Sequence, residues 1–189
     1  EEQADLLESA TKYCRDKSPI ETVRRLIEDE RGHDPAVFAE MAPQKVVDYC
    51  NNKATAIRTS AIVVGAVKAE NAKGKSMAMI EDLDKQWKAA KSVTAFMTPY
   101  MENECAHYLT MVVTRTPEID EIFVTDNQGA NVAQTHRTGD YWQGDEAKFQ
   151  KAFADGKGAV FLDEVEMDGG KKLAQCNVPV MDGDKAIGH

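Results

Sequence analysis

Long apolar runs are missing from this chain. The best stretch, Ala61 to Val67, is bracketed by Arg58 and Lys68, well short of the roughly 20 residues that span a bilayer. Glu1-Glu2-Gln3 is not the positive opening of a signal peptide. A cytoplasmic protein, a mature secreted protein and a domain separated from its membrane anchors all fit these absences. Basic charge is also in deficit. Lys and Arg number 23 against 32 Asp and Glu, for a net charge of −9. Such a surface repels phosphate, which argues against nucleic acid and against broad docking on an anionic membrane face.

Ligating and nucleophilic residues are sparse. His33, His107, His136 and His189 are dispersed. His107 follows Cys105 by two, and positions two apart do not share a helix face. Cys14, Cys50, Cys105 and Cys176 make no CxxC, which excludes a zinc ribbon, a thioredoxin-type site and c-type haem attachment. An even count permits two disulfides in three connectivities; free buried thiols are the other reading. The chain contains no P-loop, HExxH, GxSxG or EF-hand loop. No metal, cofactor or catalytic set is therefore expected. An enzyme built on Cys176 and His136 is the weakest alternative, since no local signature accompanies the pair.

What is present changes character along the chain. Ser18-Pro19-Ile20-Glu21 is a capping box with proline at its first helical position. Val23, Leu26 and Ile27 follow as an apolar stripe. Asp34-Pro35 and Pro43 open two more helices, and Ala54 to Ala69 has helical spacing. Ser76 starts a longer helix carrying Ile80, Leu83, Trp87, Ala90 and Met97 in steps of three and four. Thr98-Pro99 kinks or restarts it, and Met101 to about Arg115 continues. After Pro117 the pattern becomes strand-like. Glu121 to Asp126, a turn at Asn127-Gln128-Gly129 and Asn131 to Thr135 read as a hairpin. Asp145 to Ala154 suits a short helix. Ala159 to Met167 and Lys172 to Met181 read as a long hairpin, and Lys185 to Ile187 as a last strand. Short turns between strands imply an antiparallel sheet, hence an α+β fold.

The segment from Thr135 to Glu146 stands out. It places Arg137, Asp140, Tyr141, Trp142 and Gln143 in one loop between a strand and a helix. A guanidinium can hold a carboxylate, a carboxylate can hold an ammonium, and aromatic rings exclude water. The plain structural reading is equally open: Trp142 anchors a core, and Asp145 or Glu146 favours a helix N-terminus.

Pro117 to Gly129, ending in Asp126-Asn127-Gln128-Gly129, resembles the entry of PDC/Cache sensor domains, in which a first strand ends in D-x-x-G. Thr138 to Glu146 is similar to the family's S/T-D-Y-W/Y-Q-x-D-E segment. Asn177 to Asp182 with Lys185-Ala186-Ile187-Gly188 resembles its later strands. The likeness covers roughly the last 90 residues and the helix leading into them. It implies a PAS-like five-stranded antiparallel sheet with a long N-terminal helix, spanning 76–189; residues 1–75 read from their own spacing as a helical region to which the resemblance does not extend. It also implies an extracytoplasmic, non-enzymatic sensor domain of a histidine kinase or chemoreceptor. The expected ligand is an organic acid, amino acid or amine. Arg137, Asp140, Tyr141, Trp142 and Gln143 would line or brace the pocket, with Phe123, Thr125 and Asn177 adding inner-face groups. Membrane attachment would come only from segments outside this sequence, and the long helices offer a homodimer contact. A free-standing periplasmic binding protein or adaptor is the alternative.

Overall fold

The computed structural model describes residues 43–117, 119–163, 166–168 and 171–189. The helices expected from Ser18 and Asp34 lie outside these residues. The described chain opens with α1 (Pro43–Arg58), α2 (Ala61–Ala72), α3 (Met77–Ala89), α4 (Thr98–Glu102) and α5 (Glu104–Arg115). A hairpin of β1 (Phe123–Thr125) and β2 (Asn131–Gln134) follows, then α6 (Ala147–Phe153). Six short strands complete it: β3 (Phe161–Leu162), β4 (Glu166–Asp168), β5 (Lys171–Leu173), β6 (Cys176–Asn177), β7 (Val180–Asp182) and β8 (Lys185–Gly188).

Side chains set the helix starts. Ser76 caps α3, its Oγ accepting from the Met79 amide. Asn103 caps α5 by accepting from Ala106, and its Nδ2 donates to the Val132 carbonyl at 2.9 Å, tying that helix to β2. One long leading helix does not form. α3 stops at Ala89, an irregular stretch follows, and α4 starts anew with Pro99 in its first turn. Pro99 has no amide to donate and fits only a helix opening.

The five-stranded PAS-like sheet does not form either. The described strands make four separate two-stranded antiparallel pairs, β1–β2, β3–β6, β4–β5 and β7–β8. The strands run only two to four residues, and register breaks at Val124/Thr125 and Val180/Met181 interrupt the two main ladders. Between the β1 and β8 segments the backbone bonds are a reciprocal pair between Thr125 and His189, with N···O distances of 2.6 and 3.3 Å. The PAS-like expectation is accordingly corrected to a helical assembly carrying short β pairs.

Two apolar cores hold it. In the first, Val63 and Val67 of α2 and Cys105, Ala106 and Leu109 of α5 pack on Val124, Val132, Ala133 and Val180. In the second, Ile80, Trp87 and Met97 pack with Ala130 and Tyr141. Ile80, Asp84 and Trp87 form the buried face of α3, and a carboxylate there needs partners. Asp84 Oδ1 accepts the backbone amides of Tyr141 and Trp142 at 3.0 and 3.1 Å, and its Oδ2 meets Lys88 at 2.7 Å. Replacing Asp84 by Ala strands both amides. Urea denaturation should show a loss of about 2–4 kcal/mol, whereas the exposed neighbour Lys85→Ala should stay within about 0.5 kcal/mol. Equal effects would refute the role given to Asp84.

Candidate functional site

The β1–β2 hairpin has two unlike faces. Val124 and Ala133, paired in register, belong to the apolar core under α2 and α5. The opposite face carries Phe123 beside Gln134 and Thr125 beside Asn131. Thr125, Asn131 and Gln134 are fully buried, so this is a polar surface inside the protein. His189 joins it. Its ring stands edge-on to Phe123 and Phe149, with centroids 6.1 Å away in each case.

The hydrogen bonds fix the amide orientations. Asn131 Nδ2 lies 3.1 Å from the Asp140 carbonyl, which can only accept, so the donor end of Asn131 points there. The same Nδ2 meets Gln134 Oε1 at 2.9 Å and Thr138 Oγ at 2.7 Å, while the Thr138 hydroxyl donates to the Asp140 carbonyl at 2.6 Å. Asn177 is fixed likewise, its Nδ2 donating to the Gln175 carbonyl at 3.1 Å. Its Oδ1 therefore accepts from His189 Nε2, 3.1 Å away, so His189 carries its proton on Nε2 and leaves a lone pair on Nδ1.

Three atoms of this face are buried with no hydrogen-bond partner among the described residues: Asn131 Oδ1, Gln134 Nε2 and His189 Nδ1. Two are acceptors and one is a donor. Leaving such a group unpaired costs about 1–3 kcal/mol. At the rim, Lys148 Nζ lies 5.2 Å from the Phe123 ring centre and 2.8 Å from Glu146. Burial, with the Lys148 charge adding to it, holds the His189 imidazole down to about 4, so it is neutral near pH 7.

The residues expected to bind ligand fall into two groups. Phe123, Thr125 and Asn177 lie on the polar face, and Asp140 reaches it through its carbonyl. The others are engaged in joining the 137–143 segment to its surroundings. Arg137 Nη2 donates to the Trp87 and Ala90 carbonyls at 2.7 and 2.8 Å, closing the C-terminus of α3. The Tyr141 ring is buried against Trp87 and Tyr100. Trp142 Nε1 donates to the Gln128 carbonyl at 2.8 Å, and Gln143 Nε2 to the Asp140 carbonyl at 2.9 Å. The Asp140 carboxylate stands 3.6 Å from Lys88.

Asn131, Gln134, Thr138, Lys148, Phe149 and His189 were not singled out by sequence reasoning. One signal pointed to two of them: a strand reading Asn-Val-Ala-Gln with amides at both ends is unusual for a buried position. The described residues contain no group of three or more His, Cys, Asp or Glu able to hold a metal ion. An open groove of about 620 Å³ also lies between α2 and α4–α5, with Ala61, Gly65 and Ala69 facing Phe96, Pro99 and Tyr100. No family model matches the chain, and neither a curated protein nor a solved structure matches it.

The His189 shift has a signed consequence. The unfolded imidazole titrates near 6.5 and the folded one near 4, so the unfolded chain binds the extra proton between those values. This contribution is fully present above pH 6.5 and is lost as pH falls through about 4, amounting to roughly 3 kcal/mol at most. His189→Phe keeps a ring against Phe123 and Phe149 but cannot titrate. Urea denaturation at pH 7 and pH 4 should show the parent losing more stability than this variant. Parallel losses would show that His189 is not held neutral.

Proposed function

We propose that this chain is a small-molecule-binding sensor module working on the extracytoplasmic side of a membrane, with its ligand seated on the polar face of β1–β2. The observation that carries the reading is the trio of buried, unpartnered atoms, Asn131 Oδ1, Gln134 Nε2 and His189 Nδ1. Buried polar groups in stable folds are paired, and departures concentrate where a ligand completes the set. Two acceptors and one donor suit a ligand offering N–H or O–H donors together with an oxygen acceptor. Amino acids and hydroxy acids have both. A simple carboxylate supplies only the acceptor, which the Lys148 charge also favours.

The two-faced hairpin supports a signalling role. Ligand atoms on one face draw on Asn131 and Gln134, and Val124, Val132 and Ala133 on the same two strands pack on α2 and α5. A ligand that favours one packing of hairpin against helix shifts the populations of the two. The likeness of 117–129, 138–146 and 177–188 to Cache segments supports the extracytoplasmic setting. It does so through those residues alone, since the described strands form no PAS-like sheet.

A thermal-shift screen over organic acids, amino acids and amines, followed by calorimetric titration of each hit, tests the reading. Gln134→Met and His189→Phe should each weaken the hit about tenfold or more, one buried hydrogen bond being worth at least that. Arg137→Ala should lower stability and leave affinity within about threefold, as expected of a group bonded to backbone carbonyls. Unchanged binding by both Gln134→Met and His189→Phe would place the ligand elsewhere. A screen without hits would count against a sensor of these metabolites.

A further inference from the structure

Two side-chain amides on the polar face are joined by one hydrogen bond, Asn131 Nδ2 to Gln134 Oε1 at 2.9 Å. Their other ends, Asn131 Oδ1 and Gln134 Nε2, are buried and unpartnered among the described residues. Each free end belongs to an amide already held in that bond, so an acceptor and a donor stand near each other. One hydroxyl answers both, donating to Oδ1 and accepting from Nε2. An ammonium has no lone pair for Nε2, and a carboxylate has no proton for Oδ1.

Phe123 gathers the other groups. Gln134 is its cross-strand partner, the His189 ring centre lies 6.1 Å from its own, and Lys148 Nζ lies 5.2 Å from it. His189 Nδ1 is a second free acceptor. The Lys148 side chain is largely buried and pairs with the more exposed Glu146 at 2.8 Å. Among the described residues, the groups bonded to Asn131, Gln134, Asn177 and His189 are amides, hydroxyls, an imidazole and backbone atoms, and none is a carboxylate. A ligand ammonium would be buried there without a counter-charge and close to Lys148.

We propose that the ligand of this face is a vicinal dihydroxy carboxylate, the acid class of oxidised sugars and polyols, and that amino acids and amines are excluded. The inference rests on the polar-face reading and narrows it. One hydroxyl bridges Asn131 Oδ1 and Gln134 Nε2, its neighbour donates to His189 Nδ1, and the carboxylate takes Lys148 from Glu146. Two hydroxyl protons thus meet the two free acceptors, and a hydroxyl oxygen meets the free donor.

Ligand-observed NMR and calorimetric titration of the purified full chain with glycerate, lactate and serine tests the class. Lactate lacks the second hydroxyl, and serine carries an ammonium in place of one. Glycerate should bind about tenfold more tightly than lactate, and serine should bind more weakly than either. In His189→Phe the gap between glycerate and lactate should close, because the second hydroxyl has lost its acceptor. In Lys148→Met both acids should weaken and the gap should persist. Glycerate that fails to bind, or binds no better than lactate, overturns the proposal, and that ranking needs no variant to fold. Serine binding as tightly as glycerate, with Gln134→Met abolishing it, would show the class to be wrong and the site right. Glycerate binding equally to the parent, Gln134→Met and His189→Phe would show the site itself to be wrong.

Discussion

The Lys75 ammonium is the point on which the described structure turns. It is nearly fully buried, with Asp126 at 2.9 Å, Glu70 at 3.0 Å and the Tyr141 hydroxyl at 2.9 Å. Burial works against the charge, yet Asp126 and Glu70 hold the ammonium above its ordinary value. Each partner belongs to a different element: Glu70 to α2, Asp126 to the hairpin turn, Tyr141 to the segment packed on α3. The backbone around Lys75 reinforces the junction. Gln128 Nε2 donates to the Lys75 carbonyl, and Asn71 binds both the Ile187 carbonyl and the Asn127 amide. A buried ion pair gains little over an apolar packing of equal size, but removing one member leaves an uncompensated charge. The cluster therefore acts as a constraint on arrangement more than as a source of stability. It fixes where the hairpin lies relative to α2 and α3.

That placement gives the hairpin its two environments. One face shares the apolar core of α2 and α5, where it contributes by burial alone. The other buries Thr125, Asn131 and Gln134 and leaves hydrogen-bonding capacity unused. A sequence selected only for stability would fill the second face with apolar side chains. Retaining amides there makes sense if something outside the described chain completes them. The neutral imidazole of His189 belongs to the same logic: its protonation would place a charge between Phe123 and Phe149 with Lys148 close by.

Local signals were the legible part. The Ser76 cap, the turn at Asp126 to Gly129 and the strands at 123–125, 131–134 and 185–188 follow from side chains acting within a few residues. Asp126 shows why D-x-x-G recurs as a turn. Its Oδ1 takes the Gln128 and Ala130 amides, and Gly129 adopts a φ of 84°. The antiparallel pairings were legible as hairpins, but that the described pairs stay separate, with no single sheet joining them, was not, because short turns disclose which strands pair and not how the pairs adjoin. The site was legible in part for a related reason. Arg137, Tyr141 and Trp142 carry groups that bind ligands and protein equally well, and here the backbone of α3 captures Arg137, the 126–130 turn captures Trp142, and Lys75 and Tyr100 hold the Tyr141 hydroxyl. Asn131 and Gln134 give one signal, two amides at the ends of a strand. Only the fold discloses that both amides are enclosed.

Arg137, Thr138, Tyr141 and Trp142 all meet α3 through main-chain atoms on one side or the other: two carbonyls under the guanidinium, one carbonyl on the Trp87 indole, two amides on Asp84. The 137–142 segment and the last two turns of α3 thus form one stiff lever. Its short arm is the Thr138 hydroxyl and the Asp140 carbonyl, which touch Asn131. A shift of the Asn131 amide would therefore be felt at α3 as well as in the loop, because the two are bonded as one unit.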